Sequence, residues 1–150
     1  MSYFDNNKFN IRVYGIVENS GRILLSDEYH RGMEVLKFPG GGLMHGEGPR
    51  ECLAREFHEE LGVEIDVRDH VYTTDFFQTS VFDNQVQVIC IYYKVVLPLE
   101  NHIESRRNAD QKPRENGDQN LLWKEVSEIG TDELTFPSDR MALKMFLGLV

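Results

Sequence analysis

Three glutamates, Glu56, Glu59 and Glu60, stand three and four residues apart in a stretch of good helix formers, so they share one helix face. Like charges at that spacing repel, so intrinsic helix stability does not explain them. A hard divalent cation such as Mg²⁺ or Mn²⁺ takes oxygen ligands and turns the repulsion into a binding site. Just before them come Gly40, Gly41 and Gly42. Glycines let backbone carbonyls approach an ion or a phosphate closely. Arg55, always charged, is placed to pair with Glu47 and hold the intervening loop against the helix.

These groups need a frame. Pro49 suits a first helical position and Gly62 a left-handed stop, which predicts a helix between them with Leu53, Ala54, Phe57 and Leu61 as its apolar stripe. Upstream, Ile11 to Glu18 reads as a strand and Asn19-Ser20-Gly21 as a turn into a second strand at Arg22 to Leu25. Val35 to Phe38 is a short extended run stopped by Pro39 and the glycines. Val63 to Val67 and Val71 to Thr79 read as extended. Val86 to Leu97 is the strongest strand, apolar enough to be buried on both faces. Leu121 to Val126 is another strand, and Pro137-Ser138-Asp139 opens a last helix. Two helices among many strands suit a mixed sheet flanked by helices. Between the last two strands, Pro98 to Asn120 is polar, and the stretch 100–120 reads as a flexible or substrate-facing loop.

The length of 150 residues fits one domain spanning 1–150. A formal net charge of −9 argues against binding a nucleic-acid polymer, which needs clustered lysine and arginine. It leaves room for a small polyanionic substrate, because bound cations dominate the local field. No apolar run has the roughly 20 residues of a membrane span, and a signal-peptide core is missing from the polar start. Cys52 and Cys90 form no disulfide framework or zinc motif, which favours a cytoplasmic location.

The segment from Gly41 to Val63 resembles the Nudix box: Gly, five residues, Glu, seven residues, Arg-Glu, an apolar residue, any residue, Glu-Glu, any residue, Gly, an apolar residue. Gly41, Glu47, Arg55, Glu56, Phe57, Glu59, Glu60, Gly62 and Val63 fill every fixed position, Phe57 being bulkier than the usual aliphatic residue. The resemblance implies an α/β/α sandwich with a mixed sheet between helices. It implies metal-dependent hydrolysis of a nucleoside diphosphate linked to another moiety. By the same resemblance Glu56, Glu59 and Glu60 bind Mg²⁺ or Mn²⁺ with the Gly40 carbonyl, and Glu115 or Asp118 is a possible extra metal ligand or base. Metal-activated water attacks a phosphorus, with Glu56, Glu59 and Arg55 as the catalytic group and Glu56 as first choice of base. Gly41 faces the substrate. Ser138 and Asp139 lie where some triphosphate-specific members recognise a base, although helix capping explains them as well.

Family signatures for NADH or coenzyme A are not visible, and neither proline nor tyrosine occurs between Gln78 and Phe82, where ADP-ribose and dinucleoside polyphosphate members carry one. The expectation is a MutT-like hydrolase of nucleoside triphosphates to monophosphate and pyrophosphate. ADP-ribose or nucleotide-sugar hydrolysis is the alternative, and a non-catalytic nucleotide-binding module the rival of another class. Family members are often homodimers.

Overall fold

The structure, a computed structural model, describes residues 8–98, 102–104 and 114–150. Seven strands form one mixed sheet: β1 (Lys8–Asn19), β2 (Arg22–His30), β3 (Met33–Lys37), β4 (Gly40–Gly42), β5 (Asp66–Thr73), β6 (Val86–Val96) and β7 (Gln119–Glu125). Along the main path they run β3-β2-β1-β6-β5, with β4 added to β1 and β7 added to β2. The central pair, β1 and β6, is parallel from Lys8↔Val86 to Val17↔Val95, and the other pairings are antiparallel.

The period of two in β1 divides the core into two layers. Tyr14 and Ile16 face one side, packing with Leu25, Phe38, Val88, Cys90, Tyr92 and the last helix, α2 (Pro137–Phe146), through Ala142 and Leu143. Val13 and Val17 face the other side, against Leu53, Cys52 and Phe57 of α1 (Pro49–Leu61). The fold is therefore the expected α/β/α sandwich. Gly15 makes the second layer possible. A Cβ there would lie 2.8 Å from Val95 Cγ2 and 3.0 Å from Phe57 Cε2, so its absence lets the Phe57 ring reach the sheet. Burying such a ring contributes on the order of 2 kcal/mol.

The α1 helix starts and stops as its sequence demands. Gly48 N–H donates to Glu51 Oε1 (3.3 Å), Pro49 opens the first turn, and Gly62 at φ 68° returns its N–H to the His58 carbonyl (3.1 Å). Cys52, Leu53 and Phe57 are buried, with Ala54 and Leu61 only partly so.

Several expectations need correction. The glycines do not simply stop a strand. Gly40–Gly42 is itself a strand on β1, with Arg12↔Gly42 and Tyr14↔Gly40 in register. The second strand runs on to His30, because Arg31 (φ 49°) and Gly32 (φ 77°) close a two-residue hairpin into β3. The extended run from Val71 ends at Thr73, and residues 63–65 are irregular. Nor is β6 buried on both faces throughout. Val88, Cys90 and Tyr92 are buried, while Ile89, Ile91 and Tyr93 are half-covered. The polar loop is shorter than expected, since Gln119 and Asn120 already pair with β2. Of the 100–120 stretch, residues 100–101 and 105–113 lie outside the described residues. Arg114 is docked, pairing with Asp27 (2.8 Å) and Glu34 (3.4 Å). No described helix is long and apolar enough to cross a membrane.

Candidate active site

The glutamate face of α1 lies against β4. An ideal Cβ on Gly41 would fall 2.4 Å from Glu56 Cδ and 2.5 Å from its Oε1, so only glycine leaves the Glu56 carboxylate its place. Gly40, at φ 149°, is pressed onto β1, where a Cβ would meet the Val13 carbonyl at 2.1 Å. The glycine strand thus sits beside the acidic helix at backbone-contact range.

Arg55 organises this face. Its Nη2 donates to Glu47 Oε1 (2.6 Å) and its Nε to Glu47 Oε2 (2.9 Å), a two-point fork. Nη1 reaches Glu56 (3.0 Å) and Glu59 (3.2 Å), and Nη2 also reaches the Gly42 carbonyl (3.1 Å). Glu47 in turn accepts from Met44 N–H (2.9 Å). The fork from Arg55, with the bond from the Met44 backbone, holds the Glu47 carboxyl down to about 2. Arg55 ties loop, helix and glycine strand together.

Glu60 has a different setting. Lost hydration pushes its carboxyl up to about 7, and repulsion from Glu56 and Glu28 adds to this while Lys37 opposes it. Among the described residues no three His, Cys, Asp or Glu side chains converge as a ready-made metal cluster. Glu56 and Glu59 converge instead on Arg55. The donor chemistry nevertheless fits a hard cation: three carboxylates and a glycine backbone, all oxygen, with a cradle at Gly41 that a Cβ would fill.

A cleft of about 270 Å³ opens beside this face, between β1, β2, β3 and the segment Gln78 to Phe82. Arg12, Tyr14, Glu28 and Lys37 line its charged end, and Asn10, Thr79, Ser80, Phe82 and Phe136 line the rest. Lys37 is almost fully buried, paired with Glu28 (3.2 Å) and set 4.9 Å from the Tyr14 ring centroid. Glu28 also accepts from Ser26 Oγ (2.8 Å), which accepts from Gln119 Nε2 (2.8 Å).

Ser138 and Asp139 are completely buried beneath the cleft. The helix cap is Phe136 and no side chain caps that end, so the capping alternative does not explain the pair. Ser138 Oγ shares a hydrogen bond with Tyr92 OH (2.9 Å) and accepts from Gln78 Nε2 (3.1 Å), and its N–H donates to Gln78 Oε1 (3.0 Å). Asp139 accepts from the Tyr92 hydroxyl and from Phe38 N–H (3.3 Å). Burial raises the Asp139 carboxyl to about 6, against the pull of the Tyr92 hydroxyl. The pair reaches the cleft through Gln78 and through the backbone just ahead of Pro39. Glu115 and Asp118 form a turn before β7, with Glu115 N–H donating to Asp118 Oδ2 (2.9 Å) and Asp118 N–H to the Glu115 carbonyl (3.0 Å). Neither lines the cleft; the acidic side chain there is Glu28.

Arg12, Tyr14, Glu28, Lys37 and Gln78 were not singled out as site residues from sequence. A signal existed for two of them. Arg12 interrupts an apolar strand on the same face as Tyr14 and Ile16, and Lys37 stands alone in the short run Val35 to Phe38.

A model of the NUDIX domain matches residues 8–141. The fold is shared with solved structures of low identity. The solution structure of the Escherichia coli ORF135 protein is 22% identical, with a TM-score of 0.66 over 99% of this chain and 95% of that one. A NUDIX hydrolase from Nitrosomonas europaea is 19% identical, with a TM-score of 0.69 over 94% and 90%. The MutT protein from Methanosarcina mazei Go1 is 19% identical, with a TM-score of 0.68 over 96% of each chain. With the domain match covering most of its length, this chain belongs to the Nudix family, hydrolases that act on nucleoside diphosphate derivatives.

Proposed function

We propose that the protein is a Mg²⁺- or Mn²⁺-dependent pyrophosphohydrolase that converts a nucleoside triphosphate to the monophosphate and pyrophosphate. The observation that carries this reading is the contact of Glu56 with the bare face of Gly41, beside the Arg55 fork. Glu56, Glu59, Glu60 and the Gly40 carbonyl would hold the cation. When bound, it supplies charge neutralisation for the diphosphate and Lewis acidity for the attack of water.

The remaining steps belong to the chain's own residues. Arg55 keeps Glu56 and Glu59 on one side of the helix, so that both present oxygen to the same space. Glu56 accepts the proton of the attacking water as the new P–O bond forms and the bridging P–O bond breaks. Gly41 lets the substrate's phosphates come up to the backbone. Ser138 and Asp139 shape the base-binding end indirectly, through Gln78 and Phe38. Glu115 and Asp118, outside the cleft lining, support an added ligand less well than Glu28 does.

The cleft of about 270 Å³ lies just under the roughly 300–1,000 Å³ typical of ligand sites, which favours a substrate with one nucleoside over a dinucleoside polyphosphate. A panel of nucleoside triphosphates, ADP-ribose, nucleotide sugars and dinucleoside polyphosphates, with products identified, tests the reading. Nucleoside monophosphate plus pyrophosphate supports it. Two phosphate-bearing halves from ADP-ribose or a nucleotide sugar would move the substrate to that class. Magnesium-independent nucleotide binding without turnover would make the protein a binding module. The cytoplasm as its compartment and a homodimer as its assembly are part of the same proposal, checked by fractionation and by sedimentation.

A further inference from the structure

Arg12 is the cation of the cleft that the protein leaves open. Its Nε–H donates to the Tyr14 hydroxyl at 2.6 Å, and its guanidinium carbon stands 5.7 Å from the Tyr14 ring centroid. These contacts fix the plane of the group while using one of its five N–H donors. Among the described residues the other four have no hydrogen-bond acceptor, and no carboxylate makes an ion pair with Arg12.

Neighbouring cations are treated differently. Lys37 is paired with Glu28 (3.2 Å) and bonded to the Phe38 carbonyl (3.3 Å). Arg55 is shared among three glutamates, and Arg114 is held by Asp27. Arg12 is only half-buried, and its free Nη donors still reach the cleft, where an anion can complete them.

The position of Arg12 says which anion. It pairs in register with Gly42 of the glycine strand, where a Cβ would come only to 3.6 Å from its Nη1, so nothing bulky stands between the fork and that strand. It lines the cleft, and the charge of Glu56 acts on it from across the glycines. Two ways of holding a polyanion therefore lie on the two faces of the short strand β4: carboxylates that take a cation on one side, and a bare planar cation on the other. A planar fork of N–H donors matches two oxygens of a phosphate.

We propose that Arg12 is a substrate-binding residue whose Nη donors take non-bridging oxygens of the diphosphate. This rests on the hydrolase reading above, which places the diphosphate between the glutamate face and the cleft. Tyr14 is the positioning residue that orients the fork. The bland alternative, in which Arg12 only covers the Tyr14 ring, predicts no effect on anion binding.

The test is calorimetric titration of inorganic pyrophosphate into the full chain, with and without Mg²⁺, comparing wild type, Arg12→Gln and Arg12→Lys. Both variants are expected to keep the wild-type melting temperature within a few degrees. Arg12→Gln should weaken pyrophosphate about tenfold or more in both conditions, and Arg12→Lys, which keeps charge without the fork, about threefold or more. Under turnover, KM for the triphosphate should rise about tenfold in Arg12→Gln while kcat changes little. Pyrophosphate affinity within about twofold of wild type in either folded variant, or no pyrophosphate binding by the wild type, overturns the assignment. Because the titration needs no hydrolysis, its outcome is separate from that of the catalytic reading. The Arg12 effect without Mg²⁺ must persist in a Glu56→Gln background whether or not that background turns over.

Discussion

Gly41 and Glu56 occupy space that only one side chain can fill: a Cβ on residue 41 would stand 2.4 to 2.7 Å from the three carboxyl atoms of Glu56. Gly41→Ala should therefore displace the Glu56 carboxylate, whose flexible side chain yields more easily than the backbone. The expected result is a loss of at least about tenfold in Mg²⁺-dependent kcat/KM with a melting temperature within a few degrees of wild type. A Cβ at Gly42 meets nothing nearer than 3.6 Å, so Gly42→Ala should keep most of the activity. Equal losses in the two variants would show that the fit at Gly41 has no special role.

Arg55 should not be replaceable by lysine. The fork to Glu47 uses two nitrogens of one planar group, and a third reaches Glu56 and Glu59. A lysine offers a point charge and cannot span them. In Arg55→Lys the Glu47 carboxyl should climb from about 2 toward the ordinary glutamate range, which a carbon-detected NMR titration reads directly. Turnover should fall about tenfold or more, since Glu56 and Glu59 lose their common partner. An unchanged Glu47 titration would mean that the Met44 backbone bond alone holds that carboxylate.

The chemistry of this site was far more legible than its walls. Glu47, Arg55 and the three glutamates fall at spacings that a single helix and its leading loop bring together, so local periodicity was enough. Lys37 and Glu28 meet across the short β2–β3 hairpin, whose strand lengths were not legible, and Tyr92 meets Ser138 only because α2 packs on β6, for which the chain carries no local signal. The same holds for fold details. The α1 ends were marked by Pro49 and Gly62, whereas the pairing of Gly40–Gly42 with β1 depends on a partner nearly thirty residues upstream. Asp139 stands just after Pro137, where a cap and a base-recognising group read alike, and it is buried because Tyr92 and Phe38 offer it donors.

Asp139 gives a pH prediction. Its carboxyl is raised from 3.8 to about 6, so between those values the folded state holds a proton that the unfolded chain has released. Its contribution to stability is then greatest at low pH, falls as pH rises through that window and is constant above it, by an amount on the order of 3 kcal/mol. Asp139→Asn removes this term. Thermal melts at pH 4.5 and 7.5 should show that the wild type loses more stability, or gains less, than the variant over the same rise. Parallel melting curves would place the titration of Asp139 at its unfolded value.

Gln78 joins the wall of the cleft to the first turn of α2 by two bonds to Ser138. In Gln78→Ala the segment through Phe82 loses that attachment, although the backbone bond from Val88 N–H to the Gln78 carbonyl remains. Steady-state kinetics should show KM up by about three- to tenfold with kcat little changed, the pattern of weakened substrate binding. A fall in kcat at constant KM would instead place Gln78 in the reacting geometry.

The most direct test of the central claim is turnover of nucleoside triphosphate at saturating Mg²⁺ by wild type, Glu56→Gln and Glu59→Gln, all checked for folding. The account predicts Mg²⁺-dependent release of pyrophosphate by the wild type and a loss of at least about a hundredfold in kcat in each variant. Wild-type rates in both variants would contradict it.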